Sequence, residues 1–218
     1  MNRALAACVA LGLVFVLLAG LATSVSAQAQ SASAVLRNAA GETVGTATFT
    51  QATGGVRVSV QVRNLPPGAH GFHIHAAGHC DPPDFASAGA HFNPEGRQHG
   101  LRNPAGPHAG DLPNLQVAAT GTGQVTTLDS MVTLGGGSNS LFVPQGTSLV
   151  IHANPDDEVT DPSGNSGARI ACGVILRAAV AQAPRQLPRT GQGLPLLGLL
   201  LPTAALLAGG LYLARGKR

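Results

Sequence analysis

Between His70 and Asp111 the chain reads HGFHIHAAGHCDPPDFASAGAHFNPEGRQHGLRNPAGPHAGD, a run that holds seven of its eight histidines. His73 and His75 lie two apart inside the apolar sequence Phe72-His73-Ile74-His75. On a β-strand, residues i and i+2 project from one face, so both imidazoles point one way while Phe72 and Ile74 point the other. His91, His99 and His108 follow at spacings of eight and nine residues, through Gly-, Pro- and Asn-rich sequence that reads as loop. Asp111 closes the run. A single histidine on a strand is usually a hydrogen-bonded structural residue. Five of them with an aspartate, in a chain only 11% charged, meet no packing requirement of a globular core. A metal site explains them, since neutral imidazole is a common ligand for copper and zinc and carboxylate joins it as a harder donor.

From Ser33 the sequence predicts an all-β domain. Residues 32–38, 43–50 and 55–63 alternate apolar and polar positions between Gly-containing turns. In the third, Val56, Val58, Val60 and Val62 face one side, while Arg57, Ser59, Gln61 and Arg63 face water. Residues 70–76 make a fourth strand carrying His73 and His75. Residues 115–120 and 123–130 form a hairpin, and residues 148–153 and 169–177 supply strands seven and eight. Aromatic content is 3%, with no Trp and one Tyr (Tyr212), so the core must be built from Val, Leu, Ile, Ala and Phe. Abundant glycine (29) and proline (15) suit short strands joined by long loops. Eight antiparallel strands with a Greek-key connection close into a barrel, which removes exposed sheet edges.

The blocks GFHIH, GAHFNPEGRQHG, GPHAGDLPN, VIHANPDD and GNSGARIACGVI resemble those of the copper/zinc superoxide dismutase family in its bacterial extracytoplasmic form. The resemblance runs from about Ser33 to Ala178, in the family's order, and its motifs in combination are highly specific. It implies an eight-stranded Greek-key barrel with two long loops building a metal site on its outside. It also implies that His73, His75 and His152 bind copper, and that His91 bridges copper and zinc. His99, His108 and Asp111 complete the zinc site. Cys80 and Cys172 match the family disulfide, Arg169 the anion-guiding arginine, and Asp156 the carboxylate that links the two metal sites.

The activity implied is dismutation of superoxide to oxygen and hydrogen peroxide. Copper is the metal that cycles in redox state and zinc the one that does not. His91 would take up a proton and return it during turnover, Asp156 would orient ligand imidazoles on both sides, and Arg169 would pair with superoxide. The loop from Asp156 to Asp161 contains no lysine, so steering of the anion should be weaker than in lysine-rich relatives. Residues 76–79 form a short loop before Cys80, in a region that longer-looped relatives use for dimer contacts. His79 reads as a solvated loop residue and His70 as structural.

Excluding Cys8, the chain has two cysteines, Cys80 and Cys172, as expected of a secreted protein with one bridge; two buried thiols are the alternative. A bridge over that separation would stabilise the fold by ~4–5 kcal/mol in the loop-entropy model. Residues 1–27 read as a secretory signal peptide: Arg3, an apolar run from Ala4 to Ala22, then Val25-Ser26-Ala27. The barrel domain is expected over residues 28–180. Residues 181–191 form a linker ending in Leu187-Pro188-Arg189-Thr190-Gly191. Residues 192–218 carry an apolar stretch, Gly193 to Ala214, long enough to span a bilayer, and a basic tail. Together these resemble a sortase sorting signal, which implies a cell-wall amine as acceptor; an ordinary C-terminal membrane anchor is the alternative.

Charge excludes one class of partner. Leaving out Arg3, Arg215, Lys217 and Arg218 from 13 basic residues leaves nine against ten acidic ones, a net of −1, with no basic patch for nucleic acid. Two other readings share the barrel: an extracytoplasmic copper-binding protein without turnover, and a surface adhesin. Loss of a ligand or of Arg169 would have favoured the first, and only the sorting signal favours the second.

Overall fold

The computed structural model describes residues 30–178. Ten antiparallel strands form one sheet: β1 (Ser31–Arg37), β2 (Thr43–Ala52), β3 (Gly55–Val62), β4 (Gly68–His70), β5 (Phe72–His75), β6 (Leu115–Val117), β7 (Gly123–Asp129), β8 (Ser148–His152), β9 (Arg169–Val174) and β10 (Leu176–Arg177). No α-helix occurs among the described residues, only a 3-10 turn at Ala86–Ala88. The alternation expected of β1 to β3 is present, with Val56, Val58, Val60 and Val62 turned inward. Strand order is β4-β6-β7-β3-β2-β1-β9-β8-β5. Since β4 and β5 are consecutive in the chain, the two ends of this order meet and the sheet curls into a nearly closed barrel.

Three strands depart from the sequence expectation. Residues 70–76 do not make one strand. β4 pairs with β6 (His70↔Leu115), whereas β5 pairs with β8 (Phe72↔Ile151). The switch falls at Gly71, whose N–H donates to Asn154 O (2.9 Å) and whose carbonyl accepts from His152 N–H (2.8 Å). The last strand divides likewise at Ile175, which bonds to Thr147 O at 3.0 Å, so β9 pairs with β8 and β10 with β1. The hairpin of residues 115–130 is shorter than expected, with Val117↔Gly123 the only β6–β7 register pair. Ala118 N–H closes it on Thr122 O at 2.8 Å.

Inside the barrel, Leu36, Phe49, Phe72, Ile74, Leu115, Leu149 and Ile151 are fully buried. Each contributes roughly 1.5–3 kcal/mol of transfer free energy. A second apolar cluster lies apart from that core: Phe85, Ala88, Val150 and Cys172, with Cys80 packed against it. The disulfide Cys80–Cys172, with Cα atoms 5.6 Å apart, ties the loop after β5 to β9. All five residues of β8 are buried, because its inner face packs on the core and its outer face lies beneath that loop. No helix of the described residues is long and apolar enough to cross a membrane. Residues 1–27, the Leu187–Gly191 motif and the Gly193–Ala214 stretch lie outside the described residues.

Candidate metal centre

β5 aims its side chains as the alternation requires: Phe72 and Ile74 into the barrel core, His73 and His75 away from it. The long loop then returns twice to the backbone of β5. Phe92 N–H donates to Ile74 O (2.8 Å) and Ile74 N–H donates to Gly110 O (2.9 Å), with bridges His75↔His91 and His73↔Asp111. Loop residues far apart in sequence are thereby fixed beside the strand histidines. His152, at the end of β8, joins them from the neighbouring strand.

Two ligand groups result, sharing one residue. One donor atom from each of His73, His75, His91 and His152 lies within 4.8 Å of the other three, and the same holds for His91, His99, His108 and Asp111. All seven residues are buried. In the first group each imidazole has one nitrogen engaged. His73 Nε2–H donates to Asp156 Oδ2 (2.7 Å), His75 Nδ1–H to Gly89 O (2.9 Å) and His152 Nδ1–H to Gly167 O (3.1 Å). The opposite atoms, His73 Nδ1, His75 Nε2, His91 Nε2 and His152 Nε2, are buried without a partner. Buried polar atoms are rarely left so, and four of them on converging rings fit a bound metal ion.

In the second group, Asp111 Oδ1 lies 2.9 Å from His91 Nδ1, 3.0 Å from His99 Nδ1 and 3.3 Å from His108 Nδ1. Zinc–ligand distances near 2.0–2.1 Å imply tetrahedron edges of about 3.3 Å, so this set fits a zinc ion with little movement. The other oxygen of Asp111 is held by Gly100 N–H (2.8 Å) and His108 N–H (2.9 Å). His91 belongs to both groups, Nε2 to the first and Nδ1 to the second.

Asp156 stands between them, accepting from His73 Nε2–H and, at 3.0 Å, from His99 Nε2–H. Gly164 makes room for this bridge. Its φ is +62°, and a Cβ there would collide with Asp156 Oδ1 and lie 2.8 Å from His99 Nε2.

Protonation follows burial and these contacts. Burial pushes His73 down to about 3, His75 to about 2 and His152 to about 4, so all three are neutral donors at physiological pH. Burial likewise lowers His91. At His99 burial also lowers the pKa, but the carboxylates of Asp111 and Asp156 outweigh it and raise the value to about 9. Burial opposes ionisation of Asp111, yet the bonds from His108, His91 and His99 hold it well below the usual carboxylate range. The second group therefore favours a cation, as a divalent metal requires.

Arg169, at the start of β9, donates from Nη1 to Phe85 O and from Nη2 to Gly89 O, each at 2.6 Å. It lines an open cavity of about 720 Å³ with Pro83, Asp84, Ala86, Gly89, Ala90, Gly167 and Ala168. Gly89 O and Gly167 O are the acceptors for His75 and His152, so this cavity adjoins the first ligand group.

The structure thus brings His73, His75, His91, His99, His108, Asp111, His152 and Asp156 together, places Arg169 at the adjoining cavity, and joins Cys80 and Cys172 in a disulfide. His79 joins neither group. His70 is buried and structural, with Nδ1 2.8 Å from His152 O and Nε2 2.8 Å from Pro66 O. Sequence reasoning missed Asn114. Its amide donates to Asp156 O and accepts from Asp156 N–H, both at 2.8 Å, clamping the backbone that carries the bridging carboxylate. It also missed Asp161, whose Oδ1 accepts from His99 N–H at 2.6 Å and lies 3.8 Å from His108 Nε2. The one signal for Asn114 was its place three residues after Asp111; Asp161 had none beyond its negative charge.

The model of a family described as copper/zinc superoxide dismutase (SODC) matches residues 43–175. Copper-zinc superoxide dismutase 1 of Aquifex aeolicus (strain VF5) is 53% identical over 140 residues, 63% of this chain and 83% of that protein. The copper-zinc superoxide dismutase of Caulobacter vibrioides is 44% identical over 148 residues, 66% of this chain and 85% of its own. The crystal structure of a dismutase-like protein from Bacillus subtilis superposes with a TM-score of 0.64 at 41% identity, covering 66% of this chain and 97% of that one. Barrel, donor set and relatives agree, and the chain belongs to the copper/zinc superoxide dismutase family.

Proposed function

We propose that His73, His75, His91 and His152 hold copper, that His91, His99, His108 and Asp111 hold zinc, and that the chain works outside the cytoplasm. The reaction itself, dismutation of superoxide with copper and zinc as cofactors, is that of the family and of its named relatives. The observation that carries the residue assignment is the set of four unpartnered nitrogens, one of them on a ring whose other nitrogen faces Asp111.

When bound, copper supplies one-electron redox chemistry and zinc a fixed positive charge without redox chemistry of its own. Arg169 offers superoxide a permanent cation at the cavity beside the first group, its guanidinium fixed by two carbonyls. The product peroxide needs protons, and His91 Nε2 is an atom that can hold one while Nδ1 remains with the zinc group. Asp156 fixes the rings of His73 and His99 by accepting from the Nε2–H of each. Neutral imidazoles at His73, His75 and His152 leave their donor lone pairs free for the metal.

Titrating the metal-free chain with copper and zinc, then measuring superoxide decay, tests this reading. One copper and one zinc per chain, with decay that depends on copper, is the expected result. Stoichiometric copper binding without superoxide decay would make the protein a copper-binding barrel instead.

The extracytoplasmic reading rests on sequence pattern at both ends and on the Cys80–Cys172 bridge, which persists in oxidising compartments. Residues 1–27 act as signal peptide, residues 28–180 as the barrel domain, and Gly193–Ala214 as the stretch that halts in the bilayer. A sortase then cuts between Thr190 and Gly191 and joins Thr190 to a cell-wall amine. Mass spectrometry of the mature protein decides it: a chain ending at Thr190 on wall fragments supports attachment, and an intact Arg218 in the membrane fraction means a plain anchor.

A further inference from the structure

Phe85 is the one bulky aromatic residue among the four non-glycine residues with positive φ, at +54°, in the described part of the chain. Asparagine tolerates that region, and two of the other three are asparagines. For a bulky residue it is an outlier, one that persists only where surrounding contacts over-determine it. The contacts here are plain. The ring is 2% exposed and packs with Ala88, Val150, Cys172 and Cys80, on the outer face of β8 beside the disulfide. The backbone on either side is bonded as well, with Phe85 N–H donating to Asp81 O and Phe85 O accepting from Ala88 N–H, each at 3.1 Å. In this conformation the same carbonyl accepts from Arg169 Nη1 at 2.6 Å.

We infer that Phe85 is a positioning residue for Arg169: its buried ring holds the turn in the left-handed conformation that turns its carbonyl onto the guanidinium. Arg169 has two acceptors, and they depend on different parts of the loop. Gly89 O also receives His75 Nδ1–H, so it is tied to the metal-ligand frame. Phe85 O is tied only to the apolar cluster and the 3-10 turn. The orientation of the cation at the cavity thus reports on packing at the disulfide. The inference rests on the proposed role of Arg169 as the anion-pairing group.

Azide, a small monovalent anion that binds copper(II) and changes its visible absorption, serves as the probe on the copper- and zinc-loaded protein. Phe85→Ala should raise the azide Kd about fivefold, and Phe85→Leu, which keeps part of the anchor, about twofold, as for a weakened charge-assisted contact. Copper and zinc content should stay at wild-type values. In an Arg169→Ala background neither change should raise the Kd further, because the two residues act through one contact. Wild-type azide affinity in a folded Phe85→Ala variant with a lowered melting temperature would overturn the inference, as would an equal rise in both backgrounds. Should Phe85→Ala lack a cooperative melt, Phe85→Leu is read by the same two criteria. If Arg169→Ala alone leaves azide affinity unchanged, the role of Arg169 fails first. If it weakens azide while the Phe85 variants do not, that role stands and Phe85 is structural only.

Discussion

A buried polar nitrogen without a partner costs about 1–3 kcal/mol, and the first ligand group carries four of them. The chain sustains that cost where a metal ion recovers it. Neighbouring residues are fitted to the same end, Gly164 most visibly. Gly164→Ala would push a methyl group into Asp156 and strain a φ of +62°. It should weaken zinc binding by about 10-fold or more, measured by competition with a chromophoric chelator, while the barrel still melts cooperatively.

Asp129 behaves differently. It is 7% exposed, Oδ2 has no partner, and burial raises its pKa from 3.8 to about 7. Its stabilising share is full below pH 4 and is lost as pH rises through 7, because the folded state then binds protons the unfolded state has released. Asp129→Asn removes that dependence. The stability of the variant relative to wild type, read from its melting temperature, should therefore rise between pH 5 and pH 8, by at most about 3 kcal/mol over the roughly two pH units below the folded-state pKa. A difference that is flat or falls with pH contradicts it.

The histidines were legible because their chemistry and spacing have no other use in so apolar a chain. Asn114 and Phe85 were not, because each acts on a residue 42 or 84 positions away, a relation that only the folded loops create.

Loops, more than strands, set the centre's stability. The loop between β5 and β6 supplies His91, His99, His108 and Asp111, and is held by the disulfide at one end and by bridges to β5 at the other. Asp111 makes contact with three imidazoles and two backbone N–H groups, so removing it frees the loop and the ion together. Asp111→Ala should lose zinc. Zinc at ~100 times its Kd stabilises by about 2.7 kcal/mol, so the melting temperature should fall by roughly 5–10 °C relative to the zinc-loaded wild type. An unchanged melting temperature and zinc content would refute the assignment.

At this scale the strands were legible from period-2 alternation, clearest in β3. The divisions at Gly71 and Ile175 were not. The chain stays extended on both sides of each, and only its hydrogen-bonding partner changes, which leaves no mark on the pattern of apolar residues.

For the molecule as a whole, charge is sparse. The described residues contain no lysine, and the 156–161 loop carries Asp156, Asp157, Glu158 and Asp161. Arg169 shares its cavity with Asp84, the only other charged residue there. These charges provide little long-range attraction for an anion, so the proposed pairing of superoxide with Arg169 acts only at short range. The second-order rate should vary less than about twofold from 0.01 to 0.15 M salt, while the Debye length shrinks from ~30 to ~8 Å. A steep decline with salt would mean a steering field that these charges do not provide.

The two donor groups share a single residue, His91, and the proposed centre depends on that ring serving two metals. Copper and zinc affinities of His75→Ala, His108→Ala and His91→Ala test it most directly. His75→Ala should lose copper and keep zinc, His108→Ala should lose zinc and keep copper, and His91→Ala should weaken both. A His91→Ala variant that binds either metal with wild-type affinity would contradict the bridge.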